Sequence, residues 1–190
     1  MDMEITIKDK SFKLFISEEN LQEAIKKVAA KINEDYKNTT PIFLGVLNGS
    51  FMFFGDLLKS IDIACNVSFV KMVSYEGTSS TGEVNELIGL NENIDGRDII
   101  LVEDIVDTGN TLEKLYQILL NKNPRSIKIA TLLYKPDAYK KIHPIDYYGI
   151  AIPNAFVLGY GLDYDGLGRN LNSIYVLKES PKEDKKLVSC

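Results

Sequence analysis

The run Ile100 to Leu112, ILVEDIVDTGNTL, sets paired acids, a third acid and two hydroxyls close together. Glu103 and Asp104 follow an apolar stretch of strand length. Two more apolar residues intervene, and then come Asp107, Thr108, Gly109, Asn110 and Thr111. Gly109 lets the backbone approach a ligand closely. Successive loop amides, with the N-terminus of a following helix, can hold a phosphate. The hydroxyls of Thr108 and Thr111 add donors, and the upstream acids offer acceptors that suit ribose hydroxyl protons. The plainer reading is a strand ending in acids, with Asp107 or Thr108 serving only as a helix cap. No Gly-Lys-Ser/Thr follows, so this is not a P-loop.

These residues need a strand before them and a helix after them. Ile99 to Val102 reads as a buried strand, and Leu112 to Leu120 as an amphipathic helix. Pro41 to Leu47, PIFLGVL, is a continuous apolar run, as for a strand covered on both faces. Asn48-Gly49-Ser50 is then a turn and Phe51 to Leu58 a helix. Phe12 to Ile16 suggests a short strand, and Ser17 caps a helix with Leu21, Ile25, Val28, Ala29 and Ile32 on one face. Ile61 to Val73, Ser126 to Leu133, Tyr148 to Ile152 and Phe156 to Gly159 are further strand candidates, and Asp95-Gly96 marks a turn. Ser74 to Glu86 is polar with two glycines and reads as a mobile surface loop. The charged tail after Lys178 is expected to fray. Strands alternating with helices predict one α/β domain with a mainly parallel sheet. In such sheets ligands bind beyond the carboxyl ends of the strands, which is where the acid-rich run lies.

The 190 residues are 45% apolar and 26% charged, ordinary for a soluble globular chain. A net charge of −5 argues against general binding to nucleic acid or an acidic membrane, since both require clustered positive charge. An acidic protein that handles phosphate must therefore rely on amides, a few lysines or a metal cation. Two cysteines, one of them the terminal Cys190, give no disulfide framework. The opening MDMEITIKDK lacks the apolar core of a signal peptide, and no window nears the roughly 18 apolar residues of a membrane span. A cytoplasmic location is expected.

The run from Ile99 to Leu112 resembles the phosphoribosyl-pyrophosphate motif of the purine phosphoribosyltransferases at nearly every position. LNGSF at Leu47 to Phe51, SYEGTSSTGEV at Ser74 to Val84, YKP at Tyr134 to Pro136 and PNAFVLGYGLDYDGLGRNL at Pro153 to Leu171 extend the likeness. Each segment alone is weak, but their order and spacing resemble the hypoxanthine-guanine phosphoribosyltransferases. The resemblance implies a type I phosphoribosyltransferase-like fold: a mainly parallel twisted sheet flanked by helices. It also implies a small hood built from about residues 1–16 and 153–180. The implied reaction is transfer of phosphoribose from 5-phosphoribosyl 1-pyrophosphate to hypoxanthine or guanine, giving IMP or GMP and pyrophosphate, a step of purine salvage.

By the same resemblance, Asp107 is the general base or acid at purine N7, and the amides of Asp107 to Thr111 hold the 5′-phosphate. A carboxylate of ordinary pKa, about 3.9, is ionised near neutrality and ready for that proton. Lys135 donates to the O6 that hypoxanthine and guanine share, Phe156 stacks on the purine and the Val157 backbone meets the base edge. Asp163 coordinates Mg2+, while Glu103 and Asp104 hold ribose hydroxyls directly or through metal-bound water. Leu47, Asn48, Gly49 and Arg169 contact pyrophosphate, and Ser74 and Tyr75 touch it when their loop closes. Members of the family often carry lysine where this chain has Asn48, so this loop brings no charge to the pyrophosphate. Many also have a cis peptide before this position, which predicts a cis Leu47–Asn48 bond. A homodimer or homotetramer is implied.

Three other readings compete. A wider 6-oxopurine specificity would include xanthine. A regulator that senses phosphoribosyl pyrophosphate and binds nucleic acid would need a basic face. A structural protein would not need Glu-Asp beside a glycine-containing phosphate loop. His143, the only histidine, has no metal-ligand partner nearby in sequence and reads as structural or solvated. Cys65 lies in an apolar run and reads as a small core residue.

Overall fold

A computed structural model describes residues 4–75 and 84–178, with side chains at 73–75 and 84–88 outside that description. The central sheet has six strands in the order β5-β4-β3-β6-β7-β8. These are β3 (Ile42–Val46), β4 (Asn66–Tyr75), β5 (Val84–Ile88), β6 (Asp98–Val106), β7 (Ser126–Tyr134) and β8 (Tyr147–Ala151). Strands β4, β3, β6, β7 and β8 run parallel, and β5 adds an antiparallel edge.

Period-2 alternation divides the interior strands between two cores. Phe43, Ile100, Val102, Ala130 and Leu132 face helices α1 (Glu18–Asp35) and α2 (Phe51–Lys59). Leu44, Val46, Ile99, Leu101 and Ile129 face α3 (Asn110–Leu120) through its Leu112, Leu115 and Leu119. Ile99 to Val102 are all fully buried, which is why their sequence is apolar at every position. Burying each such side chain contributes about 1.5–3 kcal/mol. Helix α1 begins at Ser17, whose hydroxyl accepts the Asn20 N–H, and Glu18 and Glu19 complement the positive end of its dipole.

A second sheet, entirely antiparallel, joins the two ends of the chain in the order β1-β2-β10-β9. It comprises β1 (Glu4–Ile7), β2 (Lys10–Ile16), β9 (Val157–Leu158) and β10 (Ile174–Leu177). Phe12, Leu158 and Tyr175 form its own small core. Val157, Tyr160 and Ile174 pack into the main core and fix this hood on the body.

Several boundaries differ from the sequence reading. The strand expected over Ile61 to Val73 starts at Asn66, because Asn66 N–H bonds Pro41 O and the ladder with β3 begins there. The loop expected over Ser74 to Glu86 is shorter. Ser74 and Tyr75 end β4, and Val84 to Glu86 open β5, the two strands pairing Tyr75 with Val84. Backbone pairing at the sheet edge outweighs the polar composition there. Residues 76–83 of that loop, the side chains of Ser74 and Tyr75, and the tail from 179 lie outside the described residues. Asn110 and Thr111, read as loop, are the first residues of α3.

Candidate active site

Three loops meet at the carboxyl edge of the sheet, after β3, β6 and β7. After β6 the chain turns through Asp107 and Thr108 to Gly109, the N-cap of α3, at φ 75°. A left-handed residue is needed to swing directly from strand to helix, and glycine adopts it without a Cβ penalty. No side chain caps α3. Its first intrahelical bond runs from Glu113 N–H to Gly109 O, so the amides of Gly109 to Leu112 have no intrahelical acceptor and remain available to an anion. The helix-cap reading of Asp107 and Thr108 is thereby excluded. Asp107 is exposed and turns back on the loop instead: its Oδ1 accepts the Thr108 N–H at 2.5 Å and lies 3.4 Å from the Thr108 hydroxyl. Its Oδ2 has no partner among the described residues.

The loop after β3 carries a cis peptide at Leu47–Asn48. Leu47 N–H donates to Val70 O at 2.8 Å, and the buried Ser50 hydroxyl donates to Val46 O at 2.6 Å. Gly49 lies against the Asp104 carboxylate: a Cβ there would stand 1.7 Å from Asp104 Oδ2. On the other side a Cβ at Gly161 would stand 2.0 Å from Gly49 O. Two glycines thus let two backbone segments stack beside an acid. Gly161 also anchors Arg169, accepting from its guanidinium at 2.6 Å and donating its own N–H to Arg169 O at 2.9 Å.

One cleft of about 230 Å3 takes in Leu47, Gly49, Glu103, Asp104 and the turn from Asp107 to Leu112. Glu103 is buried, and burial, followed by the charges of Asp104 and Asp107, pushes its carboxyl well above the usual range. Asp104 is raised to about 6, chiefly by burial, although it accepts the Ile105 N–H at 2.9 Å and feels Arg169. Two crowded, poorly hydrated acids are an arrangement that hydroxyl donors or a cation would relieve. Asp163 does not complete a metal cage with them. Its Oδ1 pairs with Arg169 at 2.6 Å and its Oδ2 accepts Gly166 N–H at 2.7 Å. Among the described residues no three His, Cys, Asp or Glu side chains converge on one cation position. The expected ligands Asp163, Glu103 and Asp104 thus do not converge in this structure, and a Mg2+ held by one or two of these carboxylates would complete its shell with water or phosphate oxygens.

Lys135 follows β7 and is buried, with its N–H bonded to Val106 O at 2.9 Å. Its amine has no hydrogen bond or ion pair among the described residues. A buried lysine amine normally has a partner, so this one has donors to spare. Phe156 and Val157 belong to the hood and do not line the cleft. Phe156 is half-exposed, 6.2 Å from the Phe12 ring and 5.9 Å from the Tyr164 ring, and Val157 is held in the β9–β10 ladder. Asn48 is exposed.

A phosphoribosyl transferase domain model matches residues 17–165. The chain belongs to the phosphoribosyltransferase family, in its hypoxanthine-guanine branch. It is 42% identical over 172 residues to the hypoxanthine-guanine phosphoribosyltransferase of Bacillus subtilis, covering 90% of this chain and 96% of that one. A crystal structure of a hypoxanthine-guanine phosphoribosyltransferase from Bacillus anthracis superposes with a TM-score of 0.78 at 36% identity, covering 90% and 99% of the two chains. A mutant hypoxanthine phosphoribosyltransferase from Trypanosoma cruzi, a ternary substrates complex, gives 0.78 at 38% identity, covering 87% and 94%. The type I fold of this branch accounts for the parallel sheet seen here.

Sequence reasoning missed two contributors to this phosphoribosyltransferase site. Tyr160 sits between Gly159 and Gly161 with its hydroxyl on Asp56, and Gln22 donates to both. Tyr139 packs beneath Gly109. The glycine density of Gly159 to Gly168 was the one signal for the first, and no motif marked the second. His143 is largely buried, stacked on Tyr116 at 3.8 Å, and Cys65 packs at the core margin, where burial raises its thiol pKa.

Proposed function

We propose that this protein transfers the 5-phosphoribosyl group from 5-phosphoribosyl 1-pyrophosphate to hypoxanthine or guanine, releasing pyrophosphate and forming IMP or GMP. The carrying observation is the single cleft in which uncapped helix amides, the crowded Glu103–Asp104 pair and the Leu47–Gly49 loop meet. The amides of the Asp107–Thr111 turn take the 5′-phosphate, with the hydroxyls of Thr108 and Thr111. Glu103 and Asp104 accept from the ribose hydroxyls. Leu47, Asn48 and Gly49 offer backbone to pyrophosphate, and Arg169 exchanges part of its pairing with Asp163 for a phosphate oxygen. Ser74 and Tyr75 approach the same group when the segment between β4 and β5 closes.

In the reaction a purine nitrogen bonds to the anomeric carbon as the carbon–oxygen bond to pyrophosphate breaks, the electron pair leaving with pyrophosphate. Positive charge developing on the sugar is stabilised by nearby carboxylates. The proton that the base gives up passes to Asp107. Lys135 donates to O6, and Phe156, with the Val157 backbone, holds the ring. Glu103 or Asp104 would hold Mg2+, which would supply positive charge to the pyrophosphate leaving group. The crowded acids support that cofactor. The protein acts in the cytoplasm as a homodimer or homotetramer.

The test is an absorbance assay with Mg2+, the activated sugar and hypoxanthine, guanine, xanthine or orotate in turn. Turnover with the first two is expected. Turnover of orotate alone, or of no base, overturns the reading, and turnover that persists in excess EDTA removes Mg2+ from it.

A further inference from the structure

Tyr139 lies four residues beyond Lys135, in a segment to which the proposed chemistry gives no task. Its N–H, like that of Ala138, donates to Lys135 O at 3.1 Å, so Lys135 and Tyr139 close one tight turn. Its ring occupies the space that a side chain at Gly109 would need: a Cβ there would stand 2.5 Å from Tyr139 Cε2. Its hydroxyl donates to His143 O at 2.6 Å, and its ring meets Tyr134 edge-on at 5.8 Å. His143 in turn stacks on Tyr116, and its Nε2 lies 3.4 Å from Glu113 Oε1, both on α3. The segment from Lys135 to His143 therefore touches the phosphate turn at Gly109 and the helix that the turn opens.

Lys135 is joined to the turn from the other direction as well, through its N–H to Val106 O. These contacts make a closed ring: β6 end, phosphate turn, Tyr139, Lys135, β6 end. The Tyr139 ring closes it, with the Lys141 side chain also packed against Gly109, where a Cβ would stand 3.0 Å from Lys141 Cγ. A planar ring held by Tyr134, His143 and Gly109 sets how far the Gly109 backbone can sink, and so where the turn's amides point relative to Lys135.

We propose that Tyr139 is a positioning residue that fixes the phosphate-binding backbone at Gly109 relative to Lys135, holding sugar phosphate and base at one separation. The inference rests on the transfer activity proposed above. It makes a prediction that a merely structural tyrosine would not. Ligands carrying the 5′-phosphate should suffer when the ring is removed, whereas pyrophosphate, which meets the Leu47–Gly49 loop, should not.

The experiment measures steady-state constants in both directions for wild type, Tyr139→Phe, Tyr139→Leu and Tyr139→Ala, after active-site titration so that unfolded protein does not count. We expect Tyr139→Leu and Tyr139→Ala to raise KM for the activated sugar and for IMP by about tenfold or more, the cost of displacing a binding group by a fraction of an ångström. KM for pyrophosphate should change less than twofold. Tyr139→Phe, which retains the ring, should stay within about threefold of wild type in every constant. Unchanged KM for sugar and nucleotide, or an equal rise for pyrophosphate, overturns the role of Tyr139. If Tyr139→Ala fails to fold, Tyr139→Leu decides the same question. Absence of turnover by wild type would instead overturn the transfer activity itself.

Discussion

Replacing Asp104 by asparagine should make the ligand-free protein more stable at neutral pH while weakening its grip on substrate. Asp104 ionises at about 6 in the folded chain against an ordinary 3.8, chiefly because burial strips water from the carboxylate. A raised folded pKa means that the native state holds the proton more tightly, so stability is greatest below 3.8 and declines as pH rises through about 6. At 1.36 kcal/mol per pH unit, the interval between those values is worth about 3 kcal/mol once both states are ionised. The Asp104→Asn variant keeps the oxygen that accepts Ile105 N–H and has no charge to desolvate. Its stability should match wild type near pH 4 and exceed it by about 2–3 kcal/mol at pH 8, a gain of roughly 4–12 °C in Tm for a chain of this size. Thermal and urea unfolding from pH 4 to 8, without ligand, give the difference curve. A variant that is less stable at pH 8, or offset equally at every pH, would refute the argument that this acid is held at a cost. With Mg2+ and the activated sugar the gap at pH 8 should narrow by about 1.3 kcal/mol. A ligand at 100 times its Kd stabilises by about 2.7 kcal/mol, and a tenfold weaker variant loses about half of that shift.

Asp107→Asn should still bind nucleotide but slow purine turnover by about 100-fold or more, the scale of general base catalysis; unchanged kcat would remove Asp107 from proton transfer. Lys135→Met should raise KM for hypoxanthine and guanine by about 10- to 100-fold, the worth of one charge-assisted hydrogen bond, with little change for pyrophosphate. Equal losses for all ligands in that assay would mark Lys135 as structural. Tyr160→Phe removes the hydroxyl that Asp56 and Gln22 share, and should lower stability by about 1–2 kcal/mol in urea unfolding, with Asp56 still paired to Lys59. No loss would show that the hood is held by its apolar packing alone.

The central sheet was legible because its strands are covered on both faces. Burial on two sides forces apolar residues at every position, and Ile99 to Val102 and Ile42 to Val46 record that directly. The helices were legible from one buried stripe each. The hood was harder. Strand β1 has four residues half open to solvent, and β10 pairs with β2 across more than 150 residues, a partnership that no local pattern encodes. The antiparallel β4–β5 edge was lost for a similar reason, since its polar composition suits a loop until a neighbouring strand supplies hydrogen bonds.

At the site, sequence alone determined which groups are present: the acids, the hydroxyls and the glycine stand together in one run because one strand-turn-helix unit carries them all. Only the tertiary structure decided their condition. It buried Glu103 and raised Asp104, turned Asp163 toward Arg169, and left α3 without a side-chain cap. It also brought Gly161, Gly49 and Asp104 into one stack and set Tyr139 under Gly109. A residue's type fixes what it can donate, accept or ionise. How strongly it does so depends on water, charge and backbone supplied by segments far away in the chain.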